Sequence, residues 1–341
     1  MSALQPSNPV LVVASLQTEF RIARGKVQAV RDVSFTLEQG ERLGIVGESG
    51  CGKSAMALSI MGLIEPPGFI VAGSVKLVGQ ELVGLPDRRL RKIRGREISL
   101  IYQDASAALD PVRSIGAHLL EAIRNHDATI GRAAARRRAV ELLRDVEVPN
   151  AERRLNDYPH QYSGGMRQRV VIACALAHEP TVVIADEPTT ALDVTTQAQV
   201  LTLLGRLVEE RRTAVVLITH NLGIVAEFCD TVRVMYAGRF VEQASTETLF
   251  TTPRHPYTSA LLGSVPRVKQ LLTGPLPAIG GSPPDLASVG PGCAFAPRCL
   301  RSRGREICQT TAPAAPLRTD GHIVECHFAD EDDAILADET Q

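Results

Sequence analysis

The residues with the clearest chemical potential form a glycine-rich segment that reads GESGCGKS from Gly47 to Ser54. Glycines allow a backbone to wrap closely around phosphate oxygens, and successive amides followed by a helix N-terminus supply hydrogen-bond donors. In such a segment Lys53 would reach the outer phosphates of a nucleotide, and the Ser54 hydroxyl would bind Mg2+. A strand-like apolar run precedes the segment and a helix-like run follows it, which favours a P-loop over a simple turn. The predicted nucleotide contacts here are Gly47, Ser49, Gly50, Cys51, Gly52, Lys53, Ser54 and Ala55.

Two acidic residues, Asp186 and Glu187, follow an apolar run that has the character of a buried strand. A strand would deliver the Asp186 carboxylate beside the P-loop to hold Mg2+ through water, and Glu187 would polarise the attacking water. His220 follows a second apolar run, 214–218, and would sense the terminal phosphate. Each residue alone also fits an ordinary position at the end of a strand. Their occurrence beside a P-loop favours Glu187 and His220 as catalytic residues and Asp186 as a Mg2+ ligand.

The overall composition is that of an ordinary globular protein, with 44% hydrophobic and 22% charged residues among 341. A formal net charge of -1 gives no global basic field, so a nucleic-acid partner is not expected. The sequence contains no apolar run of about 18 residues, the length that a membrane-spanning helix needs. It also shows no secretory signal, so we expect a cytoplasmic location.

The order of the sequence patterns predicts an α/β fold. Continuous Val, Ile and Leu runs suit strands buried on both faces of a sheet, and helix-like segments such as 53–63, 167–178 and 195–211 lie between them. We therefore predict a nucleotide-binding domain over residues 1–250. Within it, an Ala-, Arg- and Leu-rich stretch predicts a helical subdomain over about residues 104–175. Proline and glycine become frequent after residue 250, so residues 251–341 form a separate C-terminal extension.

Four of the seven cysteines lie in that extension. They are Cys293, Cys299, Cys308 and Cys326. Four thiolates in a segment with little hydrophobic core could hold a tetrahedral zinc ion or an iron–sulfur cluster. His322 and His327 flank Cys326 and would be alternative zinc ligands. Four reduced, buried thiols remain a further interpretation, whereas a disulfide framework does not fit an odd count in a cytosolic protein.

The segment YSGGM, from Tyr162 to Met166, resembles the Leu-Ser-Gly-Gly-Gln signature of ATP-binding cassette (ABC) ATPases, although both end positions differ. The resemblance implies that two cassettes pair head to tail and that the signature of one contacts the nucleotide of the other. It also implies that Gln103 contacts ATP and Mg2+, and that Phe20 stacks on adenine. The implied contacts across the pair are Ser163, Gly164, Gly165 and Met166.

The segment His255-Pro256-Tyr257 resembles the motif that opens the C-terminal region of oligopeptide, dipeptide and nickel importer ATPases. That resemblance implies the motor subunit of a peptide importer, which uses ATP and Mg2+. In the dipeptide group, the region with Pro297-Arg298-Cys299 is associated with a [4Fe–4S] cluster, which favours this cluster over Zn2+ at the four cysteines.

The same resemblance implies a set of partners. They are a second ABC ATPase subunit (a paralogue, giving a heterodimer), two transmembrane permease subunits, and an extracytoplasmic substrate-binding protein that acts through the permease. The chain would then lie at the cytoplasmic face of the membrane. There are three alternatives: an importer of nickel or another solute, a soluble ABC ATPase that acts on DNA or ribosomes, and a subunit that binds ATP without hydrolysing it. The presence of Glu187 and His220 argues against the third.

Overall fold

The computed structural model describes residues 9–23, 25–190, 192–264, 279–314 and 321–331. The strands are β1 (Leu11–Ile22), β2 (Gly25–Leu37), β3 (Arg42–Val46), β4 (Gly68–Leu77), β5 (Gln80–Glu81), β6 (Ile98–Ile101), β7 (Val182–Asp186), β8 (Ala214–Ile218), β9 (Thr231–Tyr236), β10 (Arg239–Ser245) and β11 (Ile323–Val324). The α-helices are α1 (Lys53–Ile60), α2 (Asp87–Ile93), α3 (Ala105–Ala108), α4 (Ile115–Arg124), α5 (Arg132–Asp145), α6 (Ala151–Arg154), α7 (Gly164–Ala175), α8 (Val194–Arg211), α9 (Leu222–Phe228), α10 (Thr246–Thr251), α11 (Pro256–Gly263) and α12 (Glu306–Thr310).

A mixed sheet with the strand order β11-β10-β9-β3-β8-β7-β6 forms the centre of the protein. The five strands from β9 to β6 run parallel, whereas β10 and β11 are antiparallel to their neighbours. All five residues of β8 are buried, as expected for a continuous apolar run covered on both faces. The predicted α/β architecture is confirmed, and the structure shows that its central sheet is mixed.

Alternate side chains of the central strands enter two separate cores because successive residues of a strand point to opposite faces. Ile184 and Val216 pack with α1 and with the antiparallel sheet β2-β1-β4-β5. Their neighbours Val183 and Val215 pack instead with the helices on the other face. The sheet is therefore the shared wall between two hydrophobic cores.

Helices α3 to α7 form a layer over residues 105–175, the stretch for which the sequence predicts a helical subdomain. Leu119 of α4, Leu142 of α5 and Val170 of α7 are buried together in its core. This packing fixes the start of α7, which carries the Ser-Gly-Gly segment. Among the described residues, no helix combines the length and apolarity required to cross a bilayer.

The C-terminal extension joins the central sheet directly. Its strand β11 pairs with β10, with Val324 opposite Glu242. The Glu242 side chain is completely buried, and its carboxylate accepts the backbone N–H groups of Arg254 at 2.7 Å and His255 at 3.1 Å. The His322 Nε2 atom lies 2.7 Å from the same carboxylate. A single buried acid thus holds two parts of the extension, residues 254–255 and His322, against the cassette.

We predict that Glu242→Gln destabilises the protein. Burial opposes ionisation of Glu242, but the hydrogen bonds from His322, Thr258 and the two amides outweigh it and lower its pKa below the usual value. A glutamine would point an NH2 group at a backbone donor, so we expect the free energy of unfolding to fall by about 2 kcal/mol. Urea unfolding followed by circular dichroism would measure this loss.

The pH dependence of unfolding provides a second readout and a control. A carboxyl whose pKa is lowered by folding stabilises the protein above its unfolded pKa, and that contribution disappears as the pH falls through the folded value. The wild type should therefore lose more stability below pH 4.5 than Glu242→Gln does. The exposed Glu306, changed to Gln, should leave both measurements unaltered. Equal stabilities of Glu242→Gln and the wild type would contradict the proposed anchor.

Candidate nucleotide site

The P-loop connects the end of β3 to the start of α1 and runs tightly against neighbouring backbone. A Cβ atom at Gly52 would lie 2.2 Å from the Ala29 carbonyl oxygen, and Gly52 has a left-handed φ of +109°. A Cβ atom at Gly47 would lie 2.2 Å from the Met235 carbonyl oxygen. Only glycine fits at these two positions, which are glycines of the P-loop pattern.

The Lys53 side chain folds back over this loop. Its Nζ atom donates to the carbonyl oxygens of Gly47 at 2.7 Å and Glu48 at 2.9 Å, and the residue is buried. Burial raises the pKa of the Cys51 thiol against the opposing charge of Lys53. Cys51 is therefore a protonated thiol at neutral pH.

The parallel strands bring three of the predicted residues together at one edge of the sheet. Gln103 follows β6, Glu187 follows β7 and His220 follows β8. The Gln103 Nε2 atom donates to Glu187 Oε2 at 3.1 Å, and His220 Nδ1 lies 3.2 Å from Glu187 Oε1. Thr190, which the sequence does not single out, donates its hydroxyl to Glu187 Oε2 at 2.8 Å.

The neighbouring acids have pKa values shifted in opposite directions. Burial acts to raise the pKa of Glu187, but hydrogen bonds from Thr190 and His220 outweigh it, so this pKa is lowered. Burial raises the pKa of Asp186, although the Ser54 hydroxyl and the Lys53 charge oppose it. The Asp186 Oδ1 atom is buried and has no hydrogen-bond partner among the described residues. A buried carboxylate oxygen beside a hydroxyl suits a hard cation such as Mg2+.

The predicted signature begins α7. The Ser163 hydroxyl accepts the Met166 N–H at 3.3 Å and so caps the helix. A Cβ atom at Gly165 would lie 2.3 Å from Thr196 Cγ2, because α7 packs closely on α8 at this point. The hydrogen bond described for the exposed Ser163 side chain stays within its own helix, so its hydroxyl remains at the surface.

Phe20 lies on β1, and its ring packs over Gly68 of β4, where a Cβ atom would be 2.5 Å from Phe20 Cε1. The contacts described for this ring therefore join two strands of the antiparallel sheet. A role for Phe20 in stacking on adenine stays a prediction.

The four cysteines of the extension line one cavity of about 20 Å³. Burial raises the pKa of the Cys293 thiol to about 11, and the nearby Cys326, Cys299 and Cys308 thiols add to this rise. His327 also lines the cavity, whereas His322 bonds Glu242 instead. Within the described part of the chain, no three His, Cys, Asp or Glu side chains are already arranged to hold a metal ion.

Comparison with known proteins agrees with this geometry. The family described as "ABC transporter" matches residues 30–190, and "Oligopeptide/dipeptide transporter, C-terminal region" matches residues 241–308. The chain is 47% identical over 323 residues to the dipeptide transport ATP-binding protein DppD of Bacillus subtilis, covering 94% of this chain and 95% of the relative. It is 46% identical over 315 residues to the oligopeptide transport ATP-binding protein OppD of Salmonella typhimurium, covering 91% of each. A dimeric ATP-binding cassette in a post-hydrolysis state, bound to ADP and Pi, superimposes with a TM-score of 0.62 at 29% identity, covering 69% of this chain and 98% of that one.

A P-loop beside two acids at a strand end, on a mixed sheet with a helical layer, defines an ATPase of the ABC class. ATP hydrolysis is the activity of this class, and the expectation of an enzyme is confirmed. Within the class, the chain belongs to the family of ATP-binding subunits of oligopeptide and dipeptide ABC transporters.

We predict that Glu187→Gln retains ATP binding but loses turnover. The amide keeps the shape and the contact with Thr190 yet cannot act as a base, so we expect ATPase activity to fall by at least about 100-fold. The dissociation constant for ATP should stay within about twofold. Steady-state phosphate release and equilibrium binding would measure the two quantities. Glu210→Gln, at an exposed position on α8, is the control, and turnover near wild type in Glu187→Gln would refute the assigned role.

Proposed function

We propose that this chain is the motor subunit of an importer for dipeptides or oligopeptides. The observation that carries the proposal is the C-terminal region: the match to the oligopeptide/dipeptide family begins on β10 and includes three of the four cysteines that line the cavity. Relatives that share nearly the whole chain are named as dipeptide and oligopeptide transport ATP-binding proteins. An importer of nickel or of another small solute is the second candidate, because the same C-terminal region also resembles nickel importers.

The geometry supports a division of roles within the site. The P-loop amides and Lys53 bind the phosphates of ATP, and Glu187 orients and deprotonates the attacking water. His220 contacts the terminal phosphate and, with Gln103, holds the Glu187 carboxylate in place. Ser54, Asp186 and Gln103 are the residues that would hold Mg2+, which when bound neutralises charge on the phosphates.

A second cassette completes the site. The Ser163 hydroxyl is exposed, and residues 163–166 would contact ATP held by the P-loop of a partner ATPase subunit, for which we propose a paralogue. The related cassette noted above is dimeric, which supports such a pairing. ATP binding would close the pair, and hydrolysis would reopen it.

We propose two permease subunits as further partners, and a groove of about 460 Å³ on this chain is a candidate docking surface for one of them. It lies between β6 and the helical layer, and its wall includes Leu109, His118 and Val171. Tyr102 also lines it, is 47% exposed and directly precedes Gln103. A permease segment docked here would contact Tyr102, and the next residue, Gln103, is a proposed ligand of the ATP site. The chain would then lie at the cytoplasmic face of the membrane, with an extracytoplasmic binding protein delivering substrate to the permease.

Substrate uptake tests the proposal. In a host that lacks this chain, we expect labelled dipeptide uptake to be lost and then restored by the wild type but not by Lys53→Ala. Both proteins should appear in the membrane fraction together with the permease. Loss of nickel uptake with normal peptide uptake would favour the second candidate. Recovery of the chain on ribosomes or DNA instead of membranes would contradict a transport role.

The four cysteines support a proposed [4Fe–4S] cluster, with Zn2+ as the alternative, because both accept four sulfur ligands. Residues spread from Cys293 to Cys326 converge on one cavity, which supports a shared ligand. The cluster would stabilise a segment with little hydrophobic core.

Metal analysis after anaerobic purification would test the cluster. We expect roughly four irons and four sulfides per chain, and loss of both in Cys299→Ser. Cys174→Ser is the matched control, because Cys174 lies outside the cavity, and it should keep full metal content. One zinc without iron would establish the alternative, and no metal would refute both.

A further inference from the structure

The C-terminal extension makes a direct ionic contact with the P-loop. The Arg298 guanidinium donates to both carboxylate oxygens of Glu48, the second residue of the loop, from Nη1 to Oε2 at 2.7 Å and from Nη2 to Oε1 at 3.0 Å. The Arg298 side chain is 5% exposed and that of Glu48 is 22% exposed. Two parallel charge-assisted bonds, largely shielded from water, fix both the position and the orientation of the carboxylate.

Arg298 is itself held in place by the extension. Its Nε atom donates to the Gly280 carbonyl oxygen at 2.7 Å, and the guanidinium carbon lies 5.9 Å from the ring centres of both Tyr236 and Phe295. Pairing with Glu48 raises the pKa of Arg298 further above its usual value. The cation is therefore a fixed part of the extension rather than a mobile surface charge.

Tyr257 holds the backbone of the same P-loop residue. Its phenol oxygen accepts the Glu48 N–H at 2.8 Å, and the tyrosine is fully buried. Its ring centre lies 4.5 Å from that of Tyr236 and 5.4 Å from that of Phe295. Lys53 donates to the Glu48 carbonyl oxygen, so every polar group of Glu48 has a partner. Two of these partners, Tyr257 and Arg298, stand outside the P-loop.

We propose that Arg298 and Tyr257 are positioning residues of the nucleotide site, through which the C-terminal extension sets the affinity for ATP. Ordering a glycine-rich loop costs conformational entropy, and a loop already fixed at its second residue loses less when the nucleotide binds. Arg298 also neutralises a carboxylate within a loop that must accept a polyanion, and an uncompensated charge there would repel the phosphates.

The position of Arg298 in the chain connects two regions of the protein. Cys299, the next residue, lines the four-cysteine cavity, and Phe295 lines the same cavity while packing against Tyr236 and Tyr257. The segment from Phe295 to Cys299 thus touches the P-loop on one side and forms a wall of the cysteine cavity on the other.

Two substitutions and their combination test the inference by equilibrium ATP binding. We expect Arg298→Met to weaken ATP binding about tenfold, because it leaves the Glu48 carboxylate uncompensated beside the phosphates. Glu48→Gln alone should cost about threefold or less. In the Arg298→Met protein, however, Glu48→Gln should improve binding, because it removes the repelling charge. In steady-state assays Arg298→Met should raise KM for ATP with little change in kcat.

Tyr257→Phe, which removes only the acceptor for the Glu48 N–H, should weaken ATP binding about threefold.

Arg239→Met provides the matched control. Arg239 forms a bidentate ion pair with Glu325, with both hydrogen bonds at 3.1 Å, and so it also joins the extension to the sheet. This pair does not include a P-loop residue. We expect it to lower the melting temperature and leave ATP affinity within about twofold. If Arg298→Met does not fold, Arg298→Lys replaces it in the test. Lysine keeps the positive charge but cannot form the bidentate pair with Glu48, so we expect a smaller loss of ATP affinity.

Three results would overturn the inference: unchanged affinity in folded Arg298→Met, an equal loss in Arg239→Met, or additive losses in the Arg298→Met/Glu48→Gln protein. The inference rests on the P-loop being the ATP site, and Lys53→Ala separates the two claims. Retained binding in Lys53→Ala would refute the site itself. Lost binding in Lys53→Ala with normal binding in Arg298→Met would refute only the role of the extension.

Discussion

Parallel pairing of the central strands is the constraint on which the rest of the site depends. Because β3, β8, β7 and β6 run in the same direction, their carboxyl ends meet at one edge of the sheet. The P-loop, Gln103, Glu187 and His220 each follow one of these ends, so the fold gathers residues that are far apart in the sequence. The cost is that β8 must be buried on both faces, and its composition of Ala, Val, Leu and Ile meets that demand.

The two adjacent acids show how one strand end can serve two purposes. Glu187 stands at the edge of the site and accepts hydrogen bonds, which keep it ionised and suited to act as a base. Asp186, one residue earlier, is more deeply buried and has an oxygen without a partner in the described structure. Asp186 is the last residue of β7, whereas Glu187 lies just beyond the strand with a left-handed φ of +47°, so the two side chains stand in different environments that shift their pKa values apart.

The extension is bound to the cassette by polar contacts as well as by hydrophobic packing. Glu242 anchors it at the outer side of the sheet, and Arg298 anchors it at the P-loop. Both contacts place a charged group in a poorly solvated position, where a partner has to be present. Docking of the extension and the geometry of the P-loop are therefore linked by the same chain segment, which also forms the cysteine cavity.

The sequence alone determined the features that are written in short, contiguous patterns. The GESGCGKS loop, the acids after an apolar run, the Ser-Gly-Gly segment and the alternation of strand and helix each occupy a few neighbouring residues, and the chemistry of phosphate binding restricts which residue types can stand there. The α/β fold, the ATPase class and the helical stretch near 105–175 follow from them. The glycine at position 165 could be read as part of a signature, but not as the point where α7 packs on α8.

Only the tertiary structure decided which distant residues meet. Arg298 and Glu48 are 250 positions apart, and Tyr257 is 209 positions from the same glutamate. Neither Glu48, at a position that the P-loop pattern leaves unspecified, nor Arg298, in a proline-rich segment, carries a local pattern that indicates a partner. The crowding of four cysteines in the extension predicted a shared site, but no local pattern indicates the β10–β11 pairing. The physical reason is that such contacts depend on the path of the whole chain, which no local periodicity records.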